Sequence, residues 1–461
     1  MNKIDLLKAR RAEILQAGAE IRKQIHQLVD EESFVEFDSY SFSKNEFYNG
    51  MGGEGVITGS ATINDNLVYV IAQNNAVLSG GVTDANCKKI VKCQQKALRA
   101  GAPVLYLLDS MGVAVGEGVC ALEGIGEVLA MAQELKGECV QICVATGDLL
   151  GSFALLAASC DFTYMTGTAC VSYTSPVVLS ASANKVIAKE QIGGAKANAK
   201  TGACTFEVAD VSEVRDGVIK LLDTLPAFNG DVETMDDFNR ATPALNDKVC
   251  AKCIKEAVFD ADYFIEMNKS FAPEVITGMA RLGGMAVGAI VFDGGDKGVE
   301  LNRENVAKIK EFLYFCDESG LPVVTLVNTL GIKADLATAS SPIMKEVSNL
   351  VYALYNLQVP RINLVYGKAV GLGYTLFASK ALGAEYSYAL ATSKISLFDT
   401  KAGAMIELAG VTEENNAKAE AKYADEVQDP INAAKNGYID DIIEPQFVRA
   451  HLISALQLVM R

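Results

Sequence analysis

Apolar positions recur every seven residues at the start of the chain, at Leu7, Ile14, Ile21 and Leu28, with Ile4 and Ile25 on the same face. That period predicts one amphipathic helix over residues 3–29, packed on the body of the protein or on a partner subunit. Further on the period changes. Gly55 to Thr62 and Leu67 to Gln73 alternate or run apolar around Asn64-Asp65-Asn66, which predicts a hairpin. Asp84 to Arg99 reads as a helix, and Pro103 to Asp109 as a buried strand. A glycine-rich loop, a helix over Leu122 to Leu135 and a buried strand over Val140 to Ala145 follow, then a glycine turn into a helix over Ser152 to Ala158.

The same order then starts again. Val56-Ile57-Thr58-Gly59 reappears as Val275-Ile276-Thr277-Gly278, and Lys89, Gly101, Pro103 and Gly112 return as Lys308, Gly320, Pro322 and Gly331, each 219 positions on. Gly147, Gly151 and Ala158-Ser159 return 220 positions on as Gly367, Gly371 and Ala378-Ser379. The second copy carries strands over Val323 to Val327 and Ile362 to Val365, and helices over Pro342 to Leu357 and Leu372 to Ser379. Val448 to Met460 reads as a closing helix. Strands alternating with helices predict an α/β fold with largely parallel pairing. The acidic, proline-bearing stretch Leu225 to Asn246 reads as a linker. Two domains follow, residues 1–230 and 247–461.

Composition changes this picture little. Of 461 residues half are hydrophobic and 21% charged, as expected for a globular chain with an ample core. The net charge of −16 argues against nucleic acid as a partner, because phosphate contacts dominate that affinity. An anionic ligand needs a local basic patch. The start of the chain is charged and lacks an apolar h-region, so no signal peptide is expected. The most apolar stretch, Gln141 to Cys160, is too interrupted to span a membrane. A cytoplasmic protein is the expectation. The 11 cysteines are scattered, and Cys250-Ala-Lys-Cys253 has no second pair to complete a zinc site. No metal is expected, and the thiols read as reduced.

The only histidines are His26 and His451, both remote from any glycine loop. A Ser-His-Asp or Cys-His system is therefore disfavoured. Backbone chemistry remains. Asp109-Ser-Met-Gly112 and Gly147-Asp-Leu-Leu-Gly151-Ser152 each follow a strand and precede a helix. Free N–H groups at such turns suit a developing negative charge, and two of them aimed at one oxygen form an oxyanion hole. Gly331 and Gly371-Leu372-Gly373 offer the same pair in the second copy. Gly112-Val-Ala-Val-Gly116-Glu-Gly118 lacks the spacing of a nucleotide-binding loop. Lys88, Lys92, Lys96 and Arg99 share one helix stripe, either a solvated face or a landing strip for phosphates.

These residues resemble the carboxyltransferase subunits of biotin-dependent acyl-CoA carboxylases and decarboxylases, from about Phe34 to the C-terminus. Ser79-Gly80-Gly81-Val-Thr-Asp-Ala-Asn-Cys-Lys-Lys-Ile90 is similar to the family's GGS-x-G-x-x-H-x-KKI stretch. Asp109-Ser-Met-Gly-Val-Ala-Val-Gly-Glu-Gly118 is similar to its DSGGARIQEG, and Tyr438-Ile-Asp-Asp-Ile-Ile-Glu-Pro445, with Arg449 and Leu452, to its closing signature. The resemblance implies two tandem crotonase-like domains of ββα superhelical turns. It implies acyl-CoA in the first domain, with a thioester enolate near Gly112 and Gly151-Ser152. Biotin belongs in the second, with its ureido oxygen near Gly331 and Gly371-Leu372. Gly80, Gly81, Gly373, Lys88 and Lys92 would then contact substrate. No Met-Lys-Met biotinylation motif is present, so the resemblance implies biotin on a separate carrier protein, other carboxylase or decarboxylase subunits, and a homo-oligomer of two to six copies. Departures lie in the site lining. Met111 and Val113 stand around Gly112, Leu150 precedes Gly151, Leu372 follows Gly371, and the family's arginine is Ala114. This bulk leaves two further readings: a catalytically silent scaffold subunit, and a biotin-independent crotonase-type hydrolase or isomerase. The last needs a carboxylate beside the first hole, and Glu117 is the nearest.

Overall fold

The computed structural model describes residues 2–41, 55–228, 232, 234, 236–240, 249–407 and 416–460. The chain divides into two compact units, Met1–Leu221 and Leu222–Arg461. Half of the predicted linker, Leu225 to Asn246, lies outside the described residues.

In the first unit the sheet runs β1 (Val35–Phe37), β2 (Val56–Ile63), β3 (Asn66–Gln73), β4 (Val104–Ser110), β5 (Gln141–Leu150), β6 (Phe162–Thr166) and β8 (Phe206–Val208), and β7 (Cys170–Ser172) pairs with β5. Pairing is antiparallel through β1–β3 and parallel from β3 onward. The β2–β3 hairpin turns on Asn64 and Asp65, both at positive φ (50° and 63°). Two such residues match the right-handed twist of the strands, and Asn and Asp tolerate that conformation better than most. The Asp84–Ala100 helix is closed at its N-terminus by a reciprocal Thr83–Asn86 capping box. With the Val119–Leu135 helix it covers β3–β5, burying Ile90, Val104, Tyr106, Val128 and Leu135 in one core. Lys89 lies under this cover, its ammonium donating to the Val56 carbonyl.

The second unit repeats the plan. Its sheet runs β17 (Asp441–Ile443), β15 (Tyr386–Leu390), β14 (Arg361–Val370), β13 (Val323–Ile332), β11 (Met285–Phe292), β10 (Val275–Leu282) and β9 (Ile265–Met267). Two short strands lie off this path: β12 (Val299–Leu301) pairs with β13 and β16 (Lys394–Ser396) with β14. The hairpin turn is Gly283-Gly284, and Lys308 repeats Lys89, donating to the carbonyls of Asn268 and Phe271.

An ion pair not expected from the sequence ties each hairpin turn to the unit's last helix. Asp260 accepts the N–H groups of Gly283 and Gly284 at 2.9 and 2.8 Å and pairs with Arg449 of the Val448–Val459 helix at 2.5 Å. In the first unit Asp30 accepts from Asn64 and Asp65, both at 3.0 Å, and pairs with Arg215 of the Val214–Thr224 helix at 2.6 Å. Burial pushes the Asp260 carboxyl up, but Arg449 and the two glycine N–H groups outweigh it and hold the group below the usual carboxylate range. Asp30 is likewise held down, by Thr62, the turn N–H groups and Arg215.

Three expectations change. The single helix over residues 3–29 is two, Lys3–Ala17 and Ala19–Leu28, broken at Gly18. There the Arg22 guanidinium folds back to donate to the Ile14 and Leu15 carbonyls and to Glu36, filling the space a side chain at residue 18 would need. Ile14, Ile21, Ile25 and Leu28 are buried, whereas Ile4 and Leu7 are exposed. The strand expected over Val140 to Ala145 runs on to Leu150, because β7 pairs with its far end. Cys250 and Cys253, expected as reduced thiols, are joined by a disulfide across the first turn of the Ala251–Val258 helix. Among the described residues no helix is long and apolar enough to cross a membrane.

Candidate active site

Two parallel strands end side by side in each unit, and the glycine loops singled out in the sequence lie at those ends. In the first unit β4 runs into Met111-Gly112-Val113, while β5 runs into Gly151-Ser152. A Cβ placed on Gly112 would stand 3.1 Å from the Leu150 carbonyl oxygen. One placed on Gly151 would meet nothing nearer than the Gly112 Cα at 4.0 Å, so open space lies between the two loops. Both glycines have positive φ, 101° and 73°, which other residues rarely adopt.

Backbone hydrogen bonds decide which N–H groups face that space. Gly112 N–H donates to Ser110 Oγ at 3.1 Å and is not available. The sequence placed a donor on Gly112; the bond to Ser110 removes it from that role. Val82 N–H donates to the Gly112 carbonyl and Ala114 N–H to the Val82 carbonyl, both at 2.9 Å. In a parallel bridge of this kind the intervening residue points its own peptide groups to the opposite edge. The Val113 N–H therefore faces the β5 side, where Gly151 and Ser152 open a 3₁₀ turn whose first N–H groups have no acceptor within it.

The second unit repeats this. Gly331 N–H donates to Thr329 Oγ1 at 3.0 Å, and Gly371 N–H to the Ser396 carbonyl at 2.9 Å, so neither is available. β12 pairs Leu301 with Ile332, and Lys333 N–H donates to the Leu301 carbonyl. The Ile332 N–H thus faces the β14 edge. There Leu372 and Gly373 begin the Leu372–Phe377 helix, their N–H groups without acceptors in the helix. A Cβ on Gly331 would lie 3.1 Å from Gly373 N and 3.5 Å from Leu372 N. Ile332 and Val113 were not assigned as donors from sequence, because no local spacing shows the bridges to Leu301 and Val82 that turn their N–H groups.

A second matched device holds each loop. Gly147 lies against the Asp109 carboxylate and Gly367 against the Asn328 amide, so closely that a Cβ on either glycine would approach the side chain to 2.4 Å. Burial raises the Asp109 carboxyl, against a 2.7 Å hydrogen bond from Asn75. Asn328 accepts from Lys368 N–H at 3.0 Å and donates to the Gly295 carbonyl at 2.8 Å. The next residue makes an ion pair of opposite sense in the two units: Asp148 with Lys189 at 2.8 Å, and Lys368 with Asp399 at 3.0 Å.

The bulky replacements do not fill the openings equally. Met111 (52% exposed) and Leu372 (37%) stand at the rims. Leu150 is buried and presents its carbonyl, not its side chain, to Gly112, so the substrate contact expected of its side chain is not made there. Beside Leu330 and Lys368 the second unit opens into a groove of about 640 Å³, lined also by Lys297, Val299, Lys333 and Asp399. Gly80 is set by close approach: a Cβ there would overlap the Asp109 carbonyl, and its own carbonyl accepts from Ser110. The Gly81 carbonyl accepts from Asn86. Lys88 pairs with Asp84, Lys92 with Asp38, and Lys96 stands over the Phe37 ring, so the basic stripe is largely partnered within the protein. Glu117 accepts from Asp84 N–H at 3.4 Å, at the start of the Asp84–Ala100 helix, as a capping group does.

Known proteins share this fold. The model of the carboxyl transferase domain family matches residues 16–461. The methylmalonyl-CoA decarboxylase subunit alpha of Veillonella parvula is 31% identical, over 99% of this chain and 96% of that protein. The carboxyltransferase subunit of propionyl-CoA carboxylase from Haloferax mediterranei is 29% identical over the same shares. Transcarboxylase 12S, solved as a hexamer assembly with methylmalonyl-CoA and methylmalonic acid bound, superposes with a TM-score of 0.92 at 25% identity, over 99% of this chain and 95% of that one. The fold is the tandem crotonase-like α/β arrangement of these enzymes. With a match over nearly its whole length, the chain belongs to the carboxyl transferase domain family.

Proposed function

We propose that this chain is the carboxyltransferase subunit of a biotin-dependent acyl-CoA carboxylase or decarboxylase, with acyl-CoA in the first unit and carrier-bound biotin in the second. One observation carries the reading: each unit presents backbone N–H groups from two adjacent loops toward one space, with no histidine near either. In the first unit the N–H groups of Val113 and Ser152 receive the thioester oxygen and stabilise it as the enolate forms. Losing one such donor typically costs roughly 3 kcal/mol of barrier. In the second unit Ile332, Leu372 and Gly373 supply neutral N–H groups that suit a urea oxygen, beside a groove of about 640 Å³. Bound there, biotin carries the carboxyl group and provides the base for the substrate α-carbon, so this chain's residues need only bind, orient and polarise. Met111 and Leu372 shape the two mouths. Lys88 and Lys92 reach CoA phosphates by exchanging their exposed carboxylate partners, an exchange that costs little because such surface pairs are worth about 0–1 kcal/mol. Separate carrier and complex subunits, and several copies of this chain, complete the enzyme.

The test uses the intact protein, free biotin and a panel of carboxylated acyl-CoAs that includes methylmalonyl-CoA. Loss of the labelled carboxyl group from the thioester should require biotin. Turnover without biotin supports a hydrolase or isomerase instead, and absence of acyl-CoA binding supports a scaffold.

A further inference from the structure

Two buried hydroxyls, one per unit, repeat a single bonding pattern. Ser110 Oγ donates to the Gly80 carbonyl at 2.6 Å and accepts Gly112 N–H at 3.1 Å. Thr329 Oγ1 donates to the Val299 carbonyl at 2.7 Å and accepts Gly331 N–H at 3.0 Å. Both side chains are fully buried near the ends of equivalent strands, positions where an apolar residue would pack without any polar requirement. The hydroxyl satisfies two groups at once. It accepts the N–H of a glycine in left-handed conformation (φ 101° at Gly112, 82° at Gly331), and it ties that glycine's strand to the neighbouring loop.

Glycine has the widest backbone freedom of any residue, so a glycine alone does not fix the peptide plane that follows it. Anchors on both flanking peptides do: the hydroxyl holds the glycine's own N–H, and the bridging strand holds the peptide after it, through Val82 N–H on the Gly112 carbonyl in the first unit and the Leu301–Ile332 pairing in the second. The surroundings differ between the units while the hydroxyl is kept. The Thr329 methyl lies so close to Gly373 that a Cβ there would come within 2.7 Å of it. Ser110 lacks that methyl, and the residue matching Gly373 is the larger, buried Phe153. Volume is traded between partners; the oxygen is not.

We infer that Ser110 and Thr329 are positioning residues that aim the Val113 and Ile332 N–H groups at the two reacting oxygens. The inference rests on the carboxyltransferase reading above. Neither hydroxyl touches substrate. Each holds the N–H of its glycine, one of the two anchors between which the glycine sets the direction of the next N–H. A donor that swings away weakens the hold on charge that grows in the transition state, and leaves ground-state binding nearly unchanged. The effect therefore falls on kcat rather than KM.

The experiment measures biotin-dependent carboxyl loss from the acyl-CoA panel with wild type, Thr329→Val, Thr329→Ser and Ser110→Ala, each as the intact chain in its native assembly. Thr329→Val keeps the shape and removes the hydroxyl; Thr329→Ser does the reverse. The expected result is that Thr329→Val and Ser110→Ala each lower kcat by about tenfold or more, with KM for acyl-CoA and for biotin within about threefold of wild type. Thr329→Ser should keep kcat within about threefold. Amide exchange at Gly331 should quicken in Thr329→Val but not in Thr329→Ser. An unchanged kcat in Thr329→Val, an equal loss in Thr329→Ser, or a loss confined to KM would overturn the inference. If Thr329→Val fails to fold, Ser110→Ala decides in the other unit, where wild-type kcat overturns it. A wild type that transfers nothing refutes the carboxyltransferase reading and this inference with it; an active wild type with unaffected variants refutes the inference alone.

Discussion

Replacing Arg449 by Met should destabilise the second unit far more than the matching Arg215→Met destabilises the first. Both arginines pair with an aspartate that also holds a hairpin turn, so the two changes break the same pairing. Burial separates them. Asp260 and Arg449 are each 1% exposed, whereas Asp30 and Arg215 are 23% and 34% exposed. Removing one partner of a buried pair leaves an uncompensated charge and costs about 3–5 kcal/mol. Arg449 also donates to the Val258 and Asp237 carbonyls, which pushes the figure toward the upper end. A partly exposed pair is solvated and screened, and its loss costs about 1 kcal/mol or less. For a unit of this size roughly 1 kcal/mol moves the melting midpoint by about 2–4 °C. Arg449→Met should therefore lower the first transition by about 6–20 °C, and Arg215→Met by less than about 4 °C, followed by circular dichroism on the intact protein. Amide exchange at Gly283 and Gly284 should accelerate in parallel. Equal shifts for the two variants would refute the argument that burial sets the worth of this clasp.

The aspartates add a pH signature. Asp260 has a folded-state pKa below its unfolded value, so its contribution is present above about pH 4 and lost as pH falls through the folded value. Asp260→Asn should flatten the stability profile on that acid side in urea titrations, while a profile as steep as wild type would exclude Asp260 as the source. Gly147→Ala and Gly367→Ala force a methyl to 2.4 Å from Asp109 and Asn328, and should each cost about 1–3 kcal/mol together with activity; denaturant midpoints and kcat report both. Met111→Ala and Leu372→Ala should leave stability within about 1 kcal/mol, since both side chains stand at rims, and should change KM for acyl-CoA and for biotin respectively. An exchange of those two effects would reverse the assignment of substrates to units.

Much of the architecture was legible because it is written twice. The 219- and 220-residue offsets, the Asn64-Asp65 turn and the alternation of apolar runs give the succession of strands and helices along each copy. Local physics that depends on one distant side chain was not legible. The heptad spacing through Leu28 predicts a continuous helix, and only the Arg22 guanidinium crossing Gly18 breaks it. At the site, the loops were visible but not the bonds inside them, because no spacing reveals that Ser110 and Thr329 already occupy the N–H groups of Gly112 and Gly331. The clasps were hidden for a similar reason: Asp30 and Arg215 lie 185 residues apart, Asp260 and Arg449 lie 189 apart, and neither has a local pattern.

The ion pairs beside the glycine turns bear on which substitutions each half tolerates. Asp148 and Lys368 stand at matched positions 220 residues apart, but their partners do not match: Lys189 opens the Lys189–Ile192 helix, and Asp399 directly precedes the Thr400–Glu407 helix. A charge reversal at residue 148 or 368 alone therefore sets two like charges about 3 Å apart in either unit. Grafting Asp148 into the place of Lys368 is thus a misstep alone and a viable move only when Asp399 becomes basic as well, so the two sites behave as one heritable unit.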